Sequence, residues 1–220
     1  MARARGRQPL VHGGVELRCT SACEDEAARA GYACVAGIDE VGRGALCGPV
    51  TAGAVVLGPG FDTAGLDDSK RLTRAQREAL NARLLAGARA VAVGWVEAEE
   101  IDRLNILRAT HLAMRRALQA LALRPDFLLV DGREVPDLGV PQRAIVKGDA
   151  QSVSIAAASI VAKVARDALM READRRYPGY DLARNMGYGS ETHRAALRRL
   201  GPSRLHRRSF YQDALQASLF

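Results

Sequence analysis

Three short apolar runs in this chain each end at an acid or closely precede one. Residues 34–38 lead into Asp39-Glu40, residues 127–130 into Asp131, and residues 144–146 into Lys147-Gly148-Asp149. Apolar runs of this length, bounded by turn residues, read as buried strands. If the strands are neighbours in one sheet, four carboxylates collect at one edge, where their repulsion favours protonation or a bound cation. Oxygen-only donors suit Mg²⁺ or Mn²⁺ rather than zinc. Two such ions suit phosphodiester hydrolysis, activating water and stabilising the leaving oxygen. One feature of strands opposes this. Side chains alternate, so Asp39 and Glu40 face opposite ways unless the strand ends or bulges between them. A lone strand-terminal Asp is ordinarily a turn or cap residue; here four acids coincide.

Directly after Glu40 comes Gly42-Arg43-Gly44. Glycines let backbone approach a phosphodiester closely, and the guanidinium stands beside them. Further strands are expected over 50–57 and 90–96. Helices are expected over 22–30, 73–89, 98–121, 152–176 and 192–200. Thr73 and Gln76 have capping-box spacing. Leu104, Leu107, His111, Met114 and Leu118 form one stripe of the long helix over 98–121. Lys163 and Asp167 are spaced for an ordinary helical ion pair. The mixture of strands and helices, without repeats or a compositional break, favours one α/β domain with a mixed sheet. Residues 1–20 show no periodicity and are expected to be a flexible tail, 21–210 the catalytic domain, and 211–220 a C-terminal tail.

The chain has 220 residues, 48% of them hydrophobic, enough for one sizeable core. Its 32 basic and 25 acidic residues leave a net charge of +7, which favours a polyanionic partner. Around Tyr188 the C-terminal region carries Arg194, Arg198, Arg199, Arg204, Arg207 and Arg208, expected to form a duplex-holding face. No apolar run approaches the roughly 20 residues of a membrane span, and no signal-peptide core follows the Arg-rich start. A cytoplasmic location without membrane attachment is expected. Cys19, Cys23, Cys34 and Cys47 lack paired spacing and read as reduced thiols.

Several segments together resemble bacterial ribonuclease HII, the type 2 ribonuclease H family: AGIDEVGRG (36–44), DDSKRLT (67–73), LLVDG (128–132), VKGDAQSVSIAAASIVAKVARD (146–167), GYGS-x-x-H (187–193) and HRRSF (206–210). The resemblance implies a ribonuclease H-like mixed sheet flanked by helices, with a small helical C-terminal region. It implies a metal-dependent endoribonuclease using two divalent ions, Mg²⁺ or Mn²⁺. The substrates implied are RNA/DNA hybrids and duplex DNA with embedded ribonucleotides, incised on the 5′ side to leave 3′-hydroxyl and 5′-phosphate ends. Ribonucleotide excision repair and RNA primer removal are the implied roles.

The family's four acids fall on Asp39, Glu40, Asp131 and Asp149, with metal roles at Asp39, Glu40 and Asp131; Asp167 competes with Asp149 for the fourth place. Gly42, Arg43 and Gly44 match the junction-reading loop, and Tyr188 the tyrosine that packs on the neighbouring sugar. Ser69, Lys70 and Asn105, and Ser190 with His193, are further candidates for phosphate contact. Met186 stands where the family often has Lys. Gln216-Ala217-Ser218-Leu219-Phe220 resembles the short bacterial sliding-clamp-binding peptide, with Gln and Leu-Phe as anchors. A monomer is expected. A junction resolvase of the same superfamily and a non-catalytic hybrid-binding module are the competing readings. The ribose-reading loop argues against the first and the intact acid set against the second.

Overall fold

The structure, a computed structural model, describes residues 10–12 and 15–210. In chain order its strands are β1 (Leu10–His12), β2 (Val15–Leu17), β3 (Val35–Val41), β4 (Val50–Val56), β5 (Ala90–Val96), β6 (Phe127–Asp131) and β7 (Gln142–Ile145). Its helices are α1 (Ala22–Arg29), α2 (Arg74–Gly87), α3 (Ala98–Leu104), α4 (Ile106–Gln119), α5 (Val153–Arg176), α6 (Leu182–Asn185) and α7 (Glu191–Leu200). A single 3₁₀ turn, Gly148–Ala150, leads towards α5.

Five strands form one mixed sheet in the order β5-β4-β3-β6-β7. The first three are antiparallel neighbours, whereas β6 runs parallel to both β3 and β7. Every residue of β4 is buried, as expected for a strand covered on both faces. On one face α4 packs through Ala109, Ala113, Met114 and Ala117 against Ile38, Ala52 and Ala54. On the other, α5 and α2 close over Val55 through Ala157, Ile160 and Leu84.

Small residues set how closely these layers approach. A Cβ at Gly37 would overlap the Ser154 carbonyl of α5, one at Gly53 the Ala158 carbonyl, and one at Gly94 the Ala113 carbonyl of α4. The sheet therefore lies almost against the helix backbones, and the Ala-rich stretches of α4 and α5 permit that. Leu84, fully buried beneath this contact, marks where truncation to Ala would cost about 2–5 kcal/mol.

The helix expected over 98–121 is two helices. Asn105 adopts φ 69° at the junction and its side chain caps α4 by accepting from the Arg108 amide. The buried face also differs from the expected leucine stripe: Leu107 is exposed, and the alanines face the sheet. Apolar periodicity favoured the larger side chains, but close helix–sheet approach selected the smaller ones. The capping box at Thr73 and Gln76 is formed as expected. Within 1–20, where no element was expected, β1 and β2 pair antiparallel and Thr20 bridges to Ser152. The cysteines among the described residues are free thiols. Residues 211–220, including the candidate clamp peptide, lie outside the described residues.

The C-terminal helices are a separate small layer. Leu182, Ala196 and Leu197 pack with Cys47, Met170 and Tyr180 against the C-terminal half of α5. This places the 187–190 turn beside the loop that follows β3.

Candidate active site

Strand β3 runs unbroken through both acids, with Asp39 opposite Gly53 and Glu40 opposite Ala52 on β4. It neither ends nor bulges between them, so the alternation holds. Asp39 is buried on the α5 side, where the Ser159 hydroxyl favours its ionised form. Glu40 points into a cleft of about 430 Å³ on the α4 side, lined also by Arg43, Thr110, His111, Asp131 and Arg133.

The two faces communicate because β6 is short. Its pairing with β3 ends at Ile38 and Val130, leaving β3 without a neighbour on that side beyond Ile38. Asp131, the last residue of β6, lies at this gap. Its Oδ1 accepts from the Gly148 amide at 2.6 Å, which fixes the turn carrying Asp149 beside it.

The electrostatics are those of crowded carboxylates. Burial raises the Asp39 carboxyl well above its usual range, and Glu40, Asp131 and Asp149 push it further. Asp131 is raised by burial and by Glu40, against the hydrogen bond from Gly148. Asp149 is pushed up to about 6 by burial and by Asp68, with Lys70 opposing. Lys70 Nζ lies 3.2 Å from Asp149 and 3.8 Å from Asp68. A hard divalent cation fits this all-oxygen set, since it would offset the mutual repulsion of the carboxylates. No three of these carboxylates bring oxygens within 4.8 Å of one another; among the described residues only Cys47, His193 and His206 bring ligand atoms that close. Asp167 is not part of the group: it pairs with Lys163 at 2.6 Å, the helical ion pair that the spacing predicts.

Gly42 has φ +89° and lies against the Arg166 guanidinium, which leaves no room for a Cβ. Gly44 by contrast has open space around it. The loop is held from below by Arg207, whose guanidinium donates to the carbonyls of Gly42 and Arg43 at 2.7 Å and of Gly48 at 2.9 Å. Arg43 reaches back to Glu40 at 3.2 Å. Arg166 donates to the carbonyls of Cys47, Pro49 and Met186, and its guanidinium lies 5.5 Å from the Tyr188 ring centroid. Tyr188 is 36% exposed.

Several expected contacts have other roles. Arg207 is fully buried and belongs to the loop's support rather than to a duplex-holding face; Arg198, Arg199, Arg204 and Arg208 are exposed. His193 is fully buried, bonded to the Tyr188 carbonyl and to His206, and unavailable to a phosphate. Ser190 caps α7. Ser69 is buried with its hydroxyl 2.9 Å from that of Ser159, the residue whose hydroxyl acts on Asp39. Lys70 is exposed at the acid group, and Asn105 is exposed while its carbonyl oxygen caps α4. Met186 turns inward onto the apolar cluster around Cys47 and Met170. Sequence reasoning missed Asp68, Ser159 and Arg166. Nothing local marked Arg166, which follows Lys163 and directly precedes Asp167 in a helix whose second half is rich in charged residues.

Comparisons with known proteins point to one family. The sequence model described as Ribonuclease HII matches residues 36–213. A ribonuclease HII of Moorella thermoacetica is 58% identical over 182 residues, 83% of this chain and 88% of that protein. One of Cereibacter sphaeroides is 55% identical over 209 residues, 91% and 98% of the two chains. Among solved structures, ribonuclease H2 of Pyrococcus horikoshii superposes with a TM-score of 0.70 at 26% identity, over 84% of this chain and 98% of that one. Ribonuclease HII of Archaeoglobus fulgidus, solved as a complex with PCNA, gives 0.69 at 25% identity, over 80% and 94%. The chain belongs to the ribonuclease HII family, nucleases that cleave RNA in RNA/DNA hybrids.

Proposed function

We propose that this ribonuclease incises duplex DNA on the 5′ side of an embedded ribonucleotide as well as cutting continuous hybrids. The products are 3′-hydroxyl and 5′-phosphate ends, and the roles are ribonucleotide excision repair and RNA primer removal. The observation that carries this reading is the placement of the acids beside an open Gly-Arg-Gly loop and a half-exposed tyrosine. Asp39, Glu40 and Asp131 would hold Mg²⁺ or Mn²⁺, two ions per site, with Asp149 completing the catalytic set. When bound, the ions supply the charge that activates water and stabilises the leaving oxygen.

The chain's own groups choose the site of cutting. Backbone at Gly42 and Gly44 meets the ribose 2′-hydroxyl, the group that separates RNA from DNA. Arg43 holds a phosphate near the scissile bond, and Lys70 and Asn105 hold others. Ser69 acts from beneath, through Ser159 and Asp39. The Tyr188 ring packs on the adjacent deoxyribose, with Arg166 behind it.

The catalytic unit spans residues 21–210 and acts as a monomer in the cytoplasm. The terminal segment with Gln216, Leu219 and Phe220 docks on a sliding clamp; the PCNA complex of the Archaeoglobus protein supports a partner of that kind.

Cleavage of a DNA duplex carrying one ribonucleotide, with and without divalent metal, tests the reading. Asp39→Asn is expected to abolish cleavage while leaving duplex binding measurable. Full activity in that variant, or activity persisting in EDTA, would overturn it. Equal cleavage of an all-DNA duplex would favour a resolvase.

A further inference from the structure

His193 and His206 lie buried between the Tyr188 turn and the segment that carries Arg207, and their hydrogen bonds run in one direction. The Ser203 amide donates to His206 Nδ1 at 2.9 Å, so that nitrogen is unprotonated and the His206 proton sits on Nε2. His206 Nε2 lies 3.0 Å from His193 Nε2. His193 Nδ1 lies 2.9 Å from the Tyr188 carbonyl, which can only accept, so His193 carries its proton there and receives at Nε2. Each ring is thus neutral and each tautomer is set by its neighbours. The chain reads Ser203 amide to His206, His206 to His193, and His193 to the Tyr188 carbonyl.

This arrangement excludes a metal at the Cys47, His193 and His206 triple. With Nδ1 of His206 engaged by an amide proton, Nε2 has no lone pair to give. Burial also pushes the Cys47 thiol up to about 12, although Arg166 and Arg207 pull the other way.

The two ends of the relay belong to the two sugar-contacting elements. Tyr188 is at one end. At the other, His206 precedes Arg207, which holds the Gly42 and Arg43 carbonyls. The same segment is stitched to the loop by the bonds from the Arg207 amide to Leu46 and from the Gly48 amide to Leu205. We propose that His193 and His206 are positioning residues that, only while both are neutral, hold Tyr188 in register with the Gly42-Arg43-Gly44 loop and so set the preference for a ribose–deoxyribose junction over a continuous hybrid. The inference rests on the reading of Tyr188 as a sugar contact.

Protonating either ring breaks the chain. His206 charged at Nδ1 would turn a proton towards the Ser203 amide proton, with only the Ser203 hydroxyl 2.8 Å away left to accept it, and His193 charged at Nε2 would face the His206 proton. The other groups around the pair are the Cys47 thiol, the Tyr180 ring 4.8 Å from His206, and the Ser203 hydroxyl 2.8 Å from His206 Nδ1. None is a carboxylate that would favour the charged rings. Burial depresses both histidines, His206 to about 4 with His193 adding to the effect.

The test compares kcat/KM on a duplex with one ribonucleotide and on a continuous hybrid. His193→Asn keeps an amide donor where Nδ1 stands, and His193→Gln moves it to the position of Nε2. Asn is expected to hold the junction-to-hybrid ratio near the parent value. Gln is expected to lower it about tenfold, the equivalent of one buried hydrogen bond. In the parent the ratio should hold at pH 7 and fall only below the ordinary histidine range, as the pH drops towards about 4, and in the double variant His193→Asn, His206→Gln it should stay flat, since neither replacement titrates. Equal ratios for Asn and Gln, or the same pH dependence in the double variant, would overturn the proposal. Tyr188→Ala is the separate control: an unchanged ratio there would remove the sugar-contact reading itself, whereas a reduced ratio with indifferent histidines removes only the relay.

Discussion

Lys70 Nζ lies 3.2 Å from Asp149 Oδ2, so an exposed ammonium caps a buried acid at the centre of the candidate metal site. Burial and Asp68 nevertheless push Asp149 up to about 6. An acid raised in this way penalises the fold when ionised. The penalty is complete above about pH 6 and disappears below the unfolded value near 4. Asp149→Asn should therefore stabilise the metal-free protein at pH 7.5 by about 1–2 kcal/mol after allowance for solvent screening. The gain should vanish towards pH 4. Thermal unfolding in EDTA across this range checks it; a gain that persists at pH 4 would show that charge is not its source.

Lys70 also competes with any cation for Asp149 and Asp68. Burial lowers its own pKa, but Asp149, Asp68 and Asp39 more than reverse that, so it stays charged at any working pH. Lys70→Met should therefore tighten Mn²⁺ binding to the free protein by a few fold, about 1 kcal/mol in a screened site. Calorimetric titration at low ionic strength reads this directly. Weaker binding in the variant would mean that Lys70 organises the acids instead of competing.

The acids Asp39, Asp131 and Asp149 were legible because each closely follows an apolar run, a local signal, although only Asp131 ends its strand: β3 runs on past Asp39 to Val41, and Asp149 sits in the turn after β7. How Asp39 and Glu40 could serve one site was not legible. The answer is the shortness of β6 relative to β3, a property of two strands in register rather than of either sequence. Arg207 was misread for a similar reason. In a segment rich in arginine nothing local separates the one that turns inward, and its three carbonyl partners lie about 160 positions away in the chain. The helix break at Asn105 was hidden because the apolar spacing continues across it.

Arg207 donates to three carbonyls of the loop, of which that of Gly42 also accepts from the Ala45 amide at 3.3 Å. Arg207→Ala would leave the Gly42, Arg43 and Gly48 carbonyls without it, a cost of about 3 kcal/mol or more. Arg207→Lys should recover only part, since an ammonium cannot reproduce the planar fork. Urea denaturation of the two variants measures the order. Equal stability of the Arg207→Lys variant and the parent protein would show that charge alone suffices.

Gly37 and Gly44 lie on either side of the Asp39-Glu40 pair and should respond oppositely to a methyl group. At Gly37 the added Cβ would strike the α5 backbone at Ser154 and Ile155, which no rotamer change can relieve. Gly37→Ala should therefore cost about 3 kcal/mol or more and lower Tm by many degrees. At Gly44 the backbone is outside the left-handed region and a Cβ would meet no heavy atom within 4 Å, so stability should change by less than about 0.5 kcal/mol. If the ribose 2′-hydroxyl approaches this backbone, the same methyl group stands in its path. Gly44→Ala should then lower single-ribonucleotide cleavage by about tenfold or more while leaving Tm unchanged. Paired Tm and cleavage measurements on both variants separate packing from recognition. A fully active Gly44→Ala enzyme would mean that the sugar is read elsewhere, and Gly42 would be left with only its structural role against Arg166.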